Sequence, residues 1–522
     1  MFFKEKHPLF ECNLSLGDKM QDELISEHIF LFPFSWKFNH KKKNHLFSQH
    51  TQIQSNFFEH LDNWEPCRLQ LLSEKDYNEF VYFYKPIRMA LYTLDKQPII
   101  VRNYKYKDLS EDNYFIIVVN QITYKLKIRS IGLKLYKTGI GVLAFDLLNT
   151  AYDTVEAIES INSFSKSVYP PILPLSKAKE ELFPDYIILH LNEKCHIKEY
   201  YRDNYLKQGL GISPIILEVL GKDFLTTIRS KKQSAIIIEP ILGNQMFCLC
   251  LYKNKELLEC IQKETIAYET LEKMMTLNKK VIYLEEDDVP GYKGSTYYLK
   301  SKESIYGISR FAILCVANEV PQSKVYDQLV SIVLMQRATL LSLSSAIATI
   351  STLSKAEISP AISSIYEIYI QFINQLYFKE ITEDAQGAHI YEKLSEQLKI
   401  EEELEQLNFE IDEVREYANL VEQAQSNVKV ELLTIIGAAL VIPSFVTSLF
   451  GMNILQKEIN HWWRSERVGL WMNSYVLLPV LVTVVVCTWK KSRTKGHLFM
   501  KVVYMLLFSL SIFIICKYGS GL

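Results

Sequence analysis

"SFVTSLFGMNIL" occupies residues 444–455 of the 522-residue chain. It is apolar for most of its length and closes on Gly451-Met452-Asn453, a flexible glycine and a neutral amide. The stretch is the end of a longer run, because residues 432–456 contain no charged side chain, and neither do residues 468–489. Each run exceeds the roughly 20 residues a helix needs to cross about 30 Å of hydrocarbon. Two such runs in succession are rare in soluble proteins. Trp462, Trp463, Trp471 and Trp489 stand at their edges, where indole prefers the membrane interface. Membrane helices are therefore expected at 432–455 and 468–489. A third uncharged stretch, 502–516, covers only 15 residues, and extending it back to 498 takes in Lys501. It either spans, with Lys501 snorkelling, or lies in the interface.

The segment between the second and third stretches, "KKSRTKGH" (490–497), carries Lys490, Lys491, Arg493 and Lys495. Basic loops stay on the cytosolic side. The loop at 457–467 is short and nearly balanced in charge, so it faces outward. The large N-terminal portion is then cytosolic. The N-terminus, MFFKEKHPLFEC, lacks an apolar core of signal-peptide length. Lys and Arg (58) nearly balance Asp and Glu (60), which gives the whole chain no nucleic-acid signature. Nine cysteines lie scattered, with no zinc or disulfide spacing.

Working back from the membrane, "KLSEQLKIEEELEQLNFEIDEVREYANLVEQAQSNVKVELL" (393–433) contains neither Gly nor Pro. Leu404, Leu407, Ile411, Val414, Ala418 and Val421 alternate at spacings of three and four, a heptad seam. Gly437 is the first breaker. The simplest structure is one continuous helix of about 50 residues, or about 75 Å, half stalk and half membrane span. The seam serves either self-association around an axis or an intramolecular bundle with helices expected at 322–350 and 357–380.

Residues 1–318 read as mixed α/β. Short β-branched or aromatic runs at 28–36, 78–84, 115–128, 131–137, 139–147, 247–252, 280–286 and 307–316 suggest strands. Helical spacing fills 152–167 and 255–278. The expected architecture is an α+β cytosolic domain (1–318), a helical bundle and long stalk helix (319–431), and a membrane domain of C-terminal transmembrane helices (432–522).

Stepping inward from Asn453, the residues Ser448, Ser444, Val441, Gly437, Leu433 and Val430 recur at roughly helical spacing. In a ring of helices they would give a small, weakly polar mouth and then an apolar constriction formed by Val441, Leu433 and Val430. Amide oxygens can hold a hydrated cation, and apolar constrictions gate by dewetting. Mg2+ suits such a mouth because it gives up water reluctantly. Small residues also simply let membrane helices pack closely, and both readings stand.

"SNVKVELLTIIGAALVIPSFVTSLFGMNIL" (426–455) resembles the first membrane helix of the CorA family of magnesium transporters. The likeness rests on Asn427, Leu433-Thr434-Ile435-Ile436, Pro443 and the signature Gly451-Met452-Asn453. It implies a homo-oligomer, typically a pentamer, embedded in lipid, with the first helix lining a pore for Mg2+ or another divalent cation. Asn453 would then be the selectivity residue and metal contact. The outer loop "ILQKEINHWWRSER" departs from the acidic loop of typical members, and residues 497–522 extend beyond their usual end. "IFLFPFSWKF", "GIGVLAFDLLNTAY" and "VYPPILP" resemble a divergent CorA-like group that includes effectors of type III CRISPR systems. That likeness implies a membrane effector opened by a nucleotide messenger.

Other motifs carry weaker chemistry. The acidic "EEDDVPGY" (285–292) lacks the oxygen pattern of an EF-hand. His40, His45 and His50 sit beside Lys41–Lys43, which disfavours a cation. "GLGISP" (209–214) lacks the third glycine of a dinucleotide loop. Tyr200, Tyr201, Arg202 and Tyr205 could stack on and pair with a nucleotide. No nucleophile–base pair, P-loop or metal-hydrolase motif stands out, so no enzyme activity is expected.

Overall fold

The computed structural model describes residues 24–38, 56–94, 99–107, 109–168, 183–191, 195–200, 212–226, 236–243, 245–263, 269–276, 296–321, 323–350 and 352–451. It also describes short stretches at 477–478, 481, 505–513 and 516–517. The chain divides into two compact units, Met1–Val414 and Arg415–Leu522.

The described strands of the first unit make one fourteen-stranded sheet. They are β1 (Ser26–Phe38), β2 (Trp64–Cys67), β3 (Val101–Tyr106), β4 (Tyr114–Val119), β5 (Ile122–Tyr136), β6 (Ile140–Asn149) and β7 (Tyr186–Leu191). The remainder are β8 (Cys195–Glu199), β9 (Phe224–Thr226), β10 (Ile236–Pro240), β11 (Phe247–Lys253), β12 (Thr296–Lys300), β13 (Ser304–Ser309) and β14 (Ala312–Ala317). Two long strands organise it. β1 pairs along one edge with β6 and divides its other edge between β11 (residues 26–31) and β10 (residues 34–38). β5 pairs with β6 on one edge and with β4 and β3 on the other. The sheet therefore forks twice.

The first fork explains a proline in a central strand. Trp36 donates its backbone N–H to Gly139 at 2.8 Å, on the β6 side. Backbone groups alternate sides along an antiparallel strand, so Pro33 directs its missing donor away from β6. That is the gap between Leu31 and Phe34, where neither β11 nor β10 pairs. A proline normally restricts a strand to the edge; here the fork supplies a local edge inside the sheet.

One face carries the core. Phe30, Phe32, Phe34 and Trp36 of β1 and Leu126, Ile128, Ile131 and Leu133 of β5 are buried there with Ile158, Ile161 and Phe164 of α3 (Val155–Ser165). Gly141 lies opposite Phe34, and a Cβ there would come within 2.4 Å of the phenyl ring. The other face is covered at its centre by α7 (Ser323–Ile350), where Lys134 of β5 donates to Gln328 and Ser331, each at 2.8 Å.

The remaining helices are α1 (Glu74–Tyr82), α2 (Lys85–Leu91), α4 (Pro214–Leu220), α5 (Lys255–Gln262), α6 (Glu269–Thr276), α8 (Lys355–Gln375), α9 (Ala385–Gln397) and α10 (Ile400–Gly451). Several sequence expectations change. Residues 78–84, read as a strand, belong mostly to α1, because Ser73 and Asp76 form a capping box that starts a helix. The run 115–128 with 131–137 is a hairpin, β4 and β5, turning at Asn120 and Gln121, both at positive φ. Residues 307–316 likewise split into β13 and β14. The helical stretch 255–278 holds two helices, α5 and α6. The stalk does not run unbroken from 393: Lys399, at φ +55°, separates α9 from α10. The stretch 280–286 lies outside the described residues.

Among the described residues, one helix, Lys324–Ile350 within α7, is long and apolar enough to cross a membrane. Its apolar window is 72% buried, and it packs on the sheet, so it is a core helix of the first unit.

Candidate functional site

α10 is 52 residues long, about 78 Å at 1.5 Å per residue. In the first unit its base is held by three polar contacts. Arg337 Nη1 lies 2.7 Å from Glu403 Oε1, close enough for an ion pair though out of line for a hydrogen bond. Ser344 donates to Glu410 at 2.7 Å, and the Tyr369 hydroxyl donates to Asn408. Leu407 and Ile411 of the heptad seam are buried, with Leu404 and Val414 half-buried. Within one chain, that part of the seam serves an intramolecular bundle with α7 and α8.

Higher on α10 the pattern reverses. Leu433 is 67% exposed, Val441 64% and Val430 56%, and Val428, Leu432 and Leu440 are also exposed. Ser444 and Ser448 are exposed as well, and a Cβ on Gly437 would meet nothing within 4 Å. Thr434 returns its hydroxyl to the Val430 carbonyl at 2.9 Å, the usual way a helix absorbs a hydroxyl in apolar surroundings. At 100° per residue, Val430, Leu433, Gly437, Val441, Ser444 and Ser448 share a face about 80° wide. Asn453 stands five positions beyond Ser448, about 140° around a helix, and past Gly451, the last residue of α10. Met452 and Asn453 lie outside the described residues, as does most of 468–489. In the third stretch, residues 505–513 are helical, and most of their side chains are exposed.

Residues 322–463 match the family model described as CorA-like Mg2+ transporter protein. The CorA-like stretch takes in α7, α8, α9 and all of α10. No curated protein matches the chain.

The sheet unit adds polar groups that sequence reasoning did not single out. His28 accepts from the Ser26 hydroxyl at 2.8 Å and donates from Nδ1 to Asn162 Oδ1 at 2.7 Å. Asn149 Nδ2 donates to Ser26 Oγ at 2.8 Å, and Cys248 donates to Asn162 at 3.3 Å. The order Ser–His–Asn imitates a hydrolase triad, but all three side chains are buried. Burial lowers the His28 pKa to about 4, against a smaller opposing effect of Asn162, so the ring is neutral and braces β1 against α3. Lys166, just past α3, is also buried, and desolvation lowers its pKa to about 7. At the β-bulge between Ile128 and Ser130, Arg129 turns to Asp146, with Nε at 2.7 Å, and to Glu27, with which it forms a paired contact. Bulges re-aim side chains in this way, and no composition signal marks them.

The weaker motifs fare variously. His40, His45, His50, the acidic turn 285–292, Tyr201, Arg202 and Tyr205 lie outside the described residues. In 209–214, Ser213 donates to Glu199 at 2.5 Å, a buried structural bond. Tyr200 sits beside Tyr186 and under Lys198.

Proposed function

We propose that the chain is a CorA-like, homo-oligomeric membrane channel for divalent cations of the Mg2+ kind. Copies of α10 would line the path and the sheet unit would control it from the cytosolic side of a bacterial inner membrane. The observation that carries this reading is α10 itself. One helix, inside the CorA-like stretch, begins with a buried seam and ends in uncharged residues exposed in the single chain. Water is a poor solvent for such a surface, and lipid with neighbouring copies is a good one. Asn453, with Gly451, Met452, Ser448 and Ser444, would form the outer mouth, and Val441, Leu433 and Val430 the constriction. The segments 468–489 and 498–516 would complete the membrane domain.

A second reading, a channel opened by a nucleotide messenger, draws support from the fourteen-stranded sheet, which lies outside the CorA-like stretch and is large enough to be a receptor. One experiment separates the two. A strain deficient in Mg2+ uptake, carrying the wild-type chain, should grow on limiting Mg2+ under the transporter reading, and Asn453→Ala should abolish that rescue with membrane levels unchanged. Failure of the wild type to rescue, with toxicity appearing only when a messenger is supplied, would replace the first reading with the second. Rescue by Asn453→Ala equal to the wild type would remove Asn453 from the mouth.

A further inference from the structure

The strands β5, β4, β7 and β8 present a face whose register can be followed residue by residue. Lys125 lies opposite Ile116, Ile116 opposite Ile188, and Ile188 opposite Lys198. These four residues form one row across four strands, about 14 Å long at 4.8 Å per strand. The centre is apolar and half-buried, and both ends are exposed lysines. On one side of the row, Tyr114 is paired with His190, and His190 with His196. On the other side lie Tyr186 and Tyr200. Lys125 sits over the Tyr114 ring at 3.6 Å, and Lys198 over Tyr186 at 3.6 Å. None of these residues is acidic. An apolar centre with a cationic rim is the anatomy of a docking surface.

The complement is on α10. Phe409 is 62% exposed. Counting 100° per residue, Glu402, Glu405, Asp412 and Glu413 all fall within about 60° of it, on the side away from the seam, and all four are exposed. One aromatic knob is thus bracketed by acids from seven residues before it to four after, about 16 Å of helix. That length matches the lysine-to-lysine row. Within one chain both surfaces are exposed, so they do not mate with each other. We propose that the β5–β4–β7–β8 face of one copy receives the Phe409 face of α10 from a second copy. Phe409 would press on Ile116 and Ile188, with the acids over Lys125 and Lys198. The inference rests on the homo-oligomer reading above and specifies a cytosolic contact that assembles it.

The test uses the full chain in detergent. In a background with the exposed Cys67 and Cys516 replaced by serine, Lys198→Cys combined with Glu405→Cys should give covalently linked copies under mild oxidation, and neither single variant should. Lys125→Glu with Lys198→Glu should weaken assembly at low salt roughly tenfold, since like charges now face each other. Adding Glu405→Lys and Glu413→Lys should restore it, and high salt should blunt both effects. If light scattering shows an oligomeric wild type, yet the cross-link is absent and the charge exchange rescues nothing, this inference falls and the assembly reading stands. A monomeric wild type overturns both. Binding of ATP, used as the probe, that is lost in the Lys125→Glu and Lys198→Glu variant while the cross-link is absent would reassign the face to a small aromatic anion.

Discussion

Replacing Arg129 with methionine should expose the electrostatic cost hidden at the β5 bulge. The guanidinium is the cation the structure places on two buried carboxylates: the Glu27 side chain is 2% exposed and that of Asp146 12%. Removing one partner of a buried ion pair costs about 3–5 kcal/mol, because the remaining charge stays desolvated. The Arg129 side chain is itself 38% exposed, so water can enter part of the vacated space, and the lower end, about 3 kcal/mol, is expected. The loss should depend on pH in a definite direction. Burial raises the Asp146 pKa, and Arg129 is the largest influence opposing it. In Arg129→Met that opposition is gone, so the folded-state carboxyl binds its proton more readily than in the unfolded chain. The Asp146 contribution then becomes less unfavourable as pH falls from neutral towards the ordinary carboxylate range near 4, so the deficit relative to wild type at the same pH shrinks. The measurement is unfolding of the full chain in detergent, followed by tryptophan fluorescence, because Trp36 and Trp64 are both buried in the sheet unit. A variant within 1 kcal/mol of wild type at neutral pH, or a deficit of the same size at pH 5 and pH 8, would refute the reasoning. Adding Glu27→Gln and Asp146→Asn should recover most of the loss, since no unpaired charge remains.

Three further outcomes are expected. His28, held near 4 by burial, takes up its proton more readily in the unfolded chain. The sheet unit should therefore lose about 3 kcal/mol as pH falls from 6.5 to 4, and a denaturation midpoint flat across that window would contradict the neutral assignment. Gly141→Ala forces a methyl into the Phe34 ring and should cost about 1–3 kcal/mol, read from the same unfolding curves; a neutral result would show that Phe34 has room to turn. Leu433→Asn wets the constriction and should raise ion leak in reconstituted vesicles, and unchanged leak at normal membrane levels would remove Leu433 from the gate.

Much of this molecule could be read from its residues. β1, β6, β11 and α3 announce themselves through β-branched or helical spacing, and the CorA-like stretch through Gly451-Met452-Asn453 and the helix before it. The failures have physical causes. Residues 78–84 are an aromatic-rich run like a strand, but a cap upstream, Ser73 with Asp76, starts a helix through most of it. Lys399 interrupts the stalk with a left-handed backbone that a lysine rarely adopts, so no sequence rule marks it. The uncharged end of α10 was legible because residues 432–456 carry no charged side chain. The Arg129 cluster and the Lys125–Lys198 row were not, since both are created by register between strands distant in sequence.

The fork at Pro33 bears on how the chain comes off the ribosome. β1 can zip to β6 once residue 149 has emerged, but its second edge waits for β10 and β11, about 90–100 residues later. At typical rates of about 5–20 residues per second, that edge stands open for roughly 5–20 s. It displays "HIFLFPF", an apolar strand of the kind that recruits other strands. Pro33 interrupts the row of donors along this vulnerable edge. The residue that makes room for two strands in the finished sheet also blunts unwanted pairing while the sheet is half made.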